Sequence, residues 1–177
     1  MFRYIRSIRR IAVIDSRDAQ ELSLYVAFHT NDRLQGSEIL AVVRPHAQRL
    51  LSEVPLSDVH TAEFVNGKSL WLDEYTKPRL RNAQEVVLQA CLTDHVYPHP
   101  SDLLLSRRMG DPFFPALRTL SFEGLSVANL DADELYELLC LQPVPIEDMT
   151  VVFTKCHNLN RGEIAKLAGL VRVREEP

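Results

Sequence analysis

The residues best suited by type and spacing to do chemistry are Ala62, Gly67, Lys68 and Ser69 in AEFVNGKSLWLDEY. They form a relaxed G-x-x-x-x-G-K-S phosphate loop with Ala in place of the first Gly. Such a loop would cradle phosphates with converging backbone N–H groups and neutralise them with the Lys68 ammonium, as in a small nucleotide-binding protein or enzyme. That chemistry needs Gly-rich backbone between a buried strand and a helix. Here the segment offers a single Gly, SDVHTAEF upstream alternates apolar and polar residues, and SLWLDEYTKP downstream alternates too and closes on Pro78. Asn66-Gly67 between two alternating runs is the signature of a tight hairpin, whose turn needs positive φ at both central residues. The expectation is a hairpin over 59–75, with Lys68 on a strand.

A second cluster, Asp94, His95, His99 and Asp102, brings metal-binding side chains into one loop stiffened by Pro98 and Pro100. Zinc loops bring a second, distant pair of ligands, and none follows, so no metal is expected. Cys156-His157 cannot be a nucleophile and its base, because adjacent side chains on a strand point to opposite faces. His29 and His60 have no acid or nucleophile at an informative spacing. Asp131, Asp133 and Glu134 suit a helix N-terminus, and Asp73-Glu74 the end of a strand. G-x-S-x-G, H-E-x-x-H and G-x-G-x-x-G are all missing. The expectation is a non-catalytic protein with no cofactor.

Recognition chemistry is better represented. MFRYIRSIRR carries Arg3, Arg6, Arg9 and Arg10 with no acid before Asp15, while Phe2, Ile5 and Ile8 recur at every third position. It reads as a mitochondrial targeting segment, as a basic arm on RNA or another anionic surface, or as the start of a strand near Arg9. TKPRLR and Arg107-Arg108 add basic groups, but acidic residues separate these patches. The net charge of −4 argues against a whole surface devoted to nucleic acid. Phe113 and Phe114, between Pro112 and Pro115, cannot both turn inward easily, so one is expected to anchor a partner. The expected interaction set is Phe2, Arg3, Arg6, Arg9, Arg10, Phe113 and Phe114.

These groups must be positioned by a chain of 177 residues, 46% hydrophobic and 25% charged, which can bury a core of its own. No apolar run is long enough to cross a bilayer. Cys91, Cys140 and Cys156 are far apart with no C-x-x-C pair, as expected of small hydrophobes in a reducing intracellular compartment. IRRIAVID, ELSLYVAFHT and SEILAVVR read as strands, and PHAQRLLSEV as a helix opened by Pro45. Asn82 and Glu85 have the spacing of an N-cap and its reciprocal acid, which predicts a helix carrying Val86, Val87, Leu88 and Cys91. The Pro-rich stretch that follows reads as a connector over 94–113, dividing a β-rich part, 1–93, from a second part, 114–177.

The second part contains a faint duplication, with strands 31 residues apart. Leu120, Phe122 and Leu125 precede a helix with Leu135, Leu138 and Leu139; Val151, Phe153 and Cys156 precede one with Ile164, Leu167 and Leu170. Asp131 with Glu134, and Asn160 with Glu163, repeat the same capping pattern. Leu117-x-x-Leu120-x-Phe122-x-x-Leu125 and its helix resemble a leucine-rich repeat. Val151-x-Phe153-x-x-Cys156-x-x-Leu159 resembles the cysteine-containing variety. The cover is residues 114–171, with Asp148 at the first apolar position of the second unit. The resemblance implies a scaffold that binds other proteins; two strand-helix units of an ordinary α/β sheet explain the same pattern. The expectation is a mixed α/β chain: a β-rich N-terminal subdomain with covering helices, then two strand-helix units. Its expected role is a structural or adaptor subunit of a larger protein or ribonucleoprotein assembly.

Overall fold

β-branched and aromatic residues pack well on a pleated surface, and the segments richest in them are strands here. A computed structural model describes residues 8–15, 21–30, 33–43, 56–65, 80–89, 112 and 114–177, the first three segments as backbone. The strands are β1 (Ile8–Asp15), β2 (Glu21–Thr30), β3 (Arg33–Val43), β4 (Thr61–Val65), β5 (Glu85–Gln89), β6 (Thr119–Glu123), β7 (Thr150–Thr154) and β8 (Arg172–Glu176). Helix α1 (Ala132–Cys140) lies between β6 and β7, and α2 (Arg161–Ala168) between β7 and β8. The fold is mixed α/β.

All eight strands belong to one sheet, in the order β3-β2-β1-β4-β5-β6-β7-β8. β1, β2 and β3 pair antiparallel, and β1 then pairs parallel with β4. From β4 to β8 every pairing is parallel and joins strands consecutive in the sequence. The register aligns Ala62, Val86, Leu120, Val151 and Val173 in one row, and Phe64, Leu88, Phe122, Phe153 and Glu175 in another. Residues two apart on a strand share a face, so both rows lie on the side that forms the core. Phe122 stacks on Phe153 with centroids 5.2 Å apart. α1 adds Ala132, Leu135, Leu138 and Leu139 to this cluster, and α2 adds Ile164 and Leu167. Each large side chain buried this way contributes roughly 1.5–3 kcal/mol.

Three expectations are corrected. Residues 85–89 form a strand rather than the helix predicted from Asn82. Val86, Val87 and Leu88 are buried on both faces of the sheet, which suits β-branched residues in a parallel strand. The Asn82 side chain caps no helix; its Nδ2 donates to the Ser57 carbonyl at 2.6 Å. Second, β4 has β1 along one edge and β5 along the other. The expected hairpin needs one of those edges, and its turn, Asn66-Gly67, lies outside the described residues. Third, Phe114 is no partner anchor: it is fully buried, with its ring tilted against Phe64 at 6.2 Å. The helix expected over 45–54 lies outside the described residues, as does the 94–113 connector apart from Pro112. β5 and β6, on either side of that connector, pair directly.

Candidate interaction surface

The side chains between the core rows point to the other face of the sheet. Its central row runs Glu63, Val87, Ser121, Val152 and Arg174 across five strands. Neighbouring strands stand about 4.8 Å apart, so each side chain is flanked by the next. The first four of these residues are nearly covered, at 7–9% exposure. Hydroxyls and carboxylates predominate in the adjoining rows. Thr61 Oγ1 donates to Glu85 Oε2 at 3.0 Å, and Thr154 Oγ1 to Glu176 Oε2 at 3.5 Å. The face is polar and closely knit.

At β8 the surface changes character. Arg172 and Arg174 are exposed and project from this face, while Val173 is half-buried against the core. Glu175 takes the core-side position held by Phe153 and Phe122 on the two preceding strands, and it pairs with Arg161, the first residue of α2. A charge directed inward on an edge strand disfavours indiscriminate pairing with other sheets.

On the helical side, side-chain caps set the two helix starts. Asp131 is extended, at φ −106 and ψ 115, and accepts from the Glu134 amide at 3.0 Å. Asn160 accepts from the amides of Gly162 at 3.1 Å and Glu163 at 3.3 Å. Glu163 does not close the reciprocal half of its box. Its Oε2 accepts from the Ala132 amide of α1 at 2.8 Å, and Lys166 pairs with Asp133. The hydrogen bond that Lys166 donates to the Asp133 carboxylate raises the pKa of its ammonium above the ordinary lysine range.

The bends after β6 and β7 also correspond. Gly124, at φ 64, and Lys155, at φ 50, both take the left-handed conformation directly after their strands, and Ser126 bridges to His157. Cys156 Sγ donates to the Phe122 carbonyl at 3.2 Å. Burial is the largest influence on this thiol and, with the Glu123 charge, raises its pKa against the lowering effect of nearby backbone groups. His157 is exposed, so the two side chains form no dyad. Asp148 is exposed too and pairs with Arg118 at 3.6 Å, while its neighbour Met149 fills the core.

Of the expected interaction residues, Phe2, Arg3, Arg6 and Phe113 lie outside the described residues. Arg9 and Arg10 fall on β1, described as backbone. Gly67, Lys68 and Ser69 lie outside them, as do Asp94, His95, His99 and Asp102. Among the described residues no group of three His, Cys, Asp or Glu could hold a metal ion. No helix among them is long and apolar enough to cross a membrane. The sequence reading missed Arg172 and Arg174; the alternation of Val171 and Val173 with arginines just past Gly169 was the available signal of an edge strand. No protein-family model, curated protein or solved structure matches this chain.

Proposed function

We propose that the protein is a non-catalytic structural or adaptor subunit that docks into a larger protein assembly, and that residues 114–171 act as a short leucine-rich-repeat-like stack. The observation that carries this reading is the row-by-row correspondence of two successive strands and bends. Leu120 aligns with Val151, Phe122 with Phe153, and Ser126 with His157, while Gly124 and Lys155 share a positive φ. The Cys156 thiol on the Phe122 carbonyl ties the second bend to the first strand. Stacked units of this kind bury a shared core and leave an extended sheet face and edge for partners. The free thiols of Cys140 and Cys156 suit a reducing intracellular compartment, the mitochondrion if the basic start is a targeting signal.

Native mass spectrometry of the protein isolated under mild conditions tests this, and a defined stoichiometric complex with other subunits is expected. A lone monomer that binds ATP, and loses that binding in Lys68→Ala, would overturn it.

A further inference from the structure

We propose that the open edge of β8 takes up an extended acidic segment of a partner protein as an added strand. The segment would carry Asp or Glu opposite Arg172 and Arg174 and an apolar residue opposite Val173. This deepens the docking role above and rests on it.

Among the described residues the sheet ends at β8, which pairs there with β7 along one side only. The Lys155 amide donates to the Glu176 carbonyl at 3.2 Å, so Glu176 turns its backbone toward β7. Backbone groups alternate sides along a strand, so Arg172 and Arg174 do the same, while Val173 and Glu175 present their N–H and C=O groups outward. An incoming strand would satisfy those groups, and alternate side chains on either face would select it.

The side chains specify its chemistry. Arg172 and Arg174 share a face roughly 6.6–6.8 Å apart, are exposed, and have no hydrogen-bond or ion-pair partner among the described residues. Elsewhere on the two strand-helix units Arg118, Arg161 and Lys166 each have a carboxylate. Opposite charges directly across a strand pair attract and like charges repel. A second copy of β8 in parallel register would set arginine against arginine, and one in antiparallel register centred on Arg174 would set each Arg172 against a Glu176 but still oppose two Arg174 side chains. An acidic segment meets neither obstacle. On the core side Val171 is buried and Val173 half-buried, so the apolar interior reaches the rim of the sheet there. An apolar residue opposite Val173 would extend it.

The test uses the full chain and three labelled eight-residue peptides: one alternating Glu and Val, one alternating Lys and Val, and a Glu/Val version N-methylated at alternate amides. Fluorescence anisotropy should show saturable binding of the first alone. The double variant R172E/R174E should weaken it about tenfold and acquire affinity for the Lys/Val peptide. Equal binding of the Glu and Lys peptides would overturn the proposal. Undiminished binding of the N-methylated peptide would do so as well, because that places the contact off the edge. Pairing of two copies through β8, or an oligonucleotide that displaces the Glu/Val peptide at equal charge concentration, would also overturn it. If the native complex forms and survives R172E/R174E intact, the edge proposal fails while the docking role stands. If the protein has no complex to form, the docking role itself fails.

Discussion

The Glu163 carboxylate accepts a hydrogen bond from the Ala132 amide at 2.8 Å, so a residue in the first turn of α2 caps the first amide of α1. Asp131, at its own N-cap position, satisfies the Glu134 amide. Two of the orphan donors at this helix start are thus met by side chains, one of them borrowed from the neighbouring helix.

Removing that borrowed acceptor should loosen both helices. Glu163→Ala is expected to lower stability by about 0.5–2 kcal/mol, the range for a lost cap, and Glu163→Gln, which keeps an acceptor, by less. Urea denaturation measures the loss. Faster hydrogen exchange at Ala132 would assign it to the cap, whereas unchanged exchange there would show that the amide finds another acceptor.

Phe122 and Phe153 stack at 5.2 Å with an interplanar angle of 17° and are both buried. Either Phe→Ala change should cost roughly 3–5 kcal/mol. A double-mutant cycle with the two Phe→Leu variants should return a coupling of about 0.5–1.5 kcal/mol. A coupling of zero would mean that the rings act as separate apolar bodies.

Asn82 holds the entry to β5 through Ser57, since its Nδ2 reaches that carbonyl at 2.6 Å. Asn82→Ala should destabilise by about 0.5–1.5 kcal/mol, and Asn82→Asp, which has no amide donor to offer, by at least as much. A helix N-cap would tolerate Asp without loss. The sign of the Asp result therefore separates the two roles in one thermal or chemical melt.

Cys156 and Cys140 should part company on alkylation. Cys140 is exposed, whereas Cys156 is half-buried with its proton on the Phe122 carbonyl and its pKa raised chiefly by burial. The thiolate is the reactive form, so iodoacetamide should label Cys140 first, read by peptide mass spectrometry. The same shift has a definite sign in stability. The unfolded thiol ionises at lower pH than the folded one, so the contribution is fully present below the ordinary thiol range and disappears as pH rises through the folded value. Cys156→Ala should flatten that alkaline decline.

Several elements of this fold are legible in the chain because their signal is local. β1, β2, β6 and β7 occupy apolar or alternating runs, and Asp131 and Asn160 stand where helix starts need acceptors. β5 is not legible in this way, because Asn82-x-x-Glu85 reproduces capping spacing and nothing within the segment reveals that β4 and β6 lie on either side of it. The same non-local fact decides against a hairpin edge on β4. Phe114 looked suited to a partner because FF in a proline frame says nothing of Phe64, which lies far away in sequence and receives it. β8 lacks an apolar stripe, since a strand at the rim with a charge on each face has little hydrophobic pattern to display.

The parallel strands from β4 to β8 are hydrogen-bonded each to the next in order, so their ladders are loaded in series, like treads on a rope ladder. Tension applied at the rim is passed tread by tread and shared by none in advance. A protein built this way can give locally at β8 while the aromatic treads farther in stay seated.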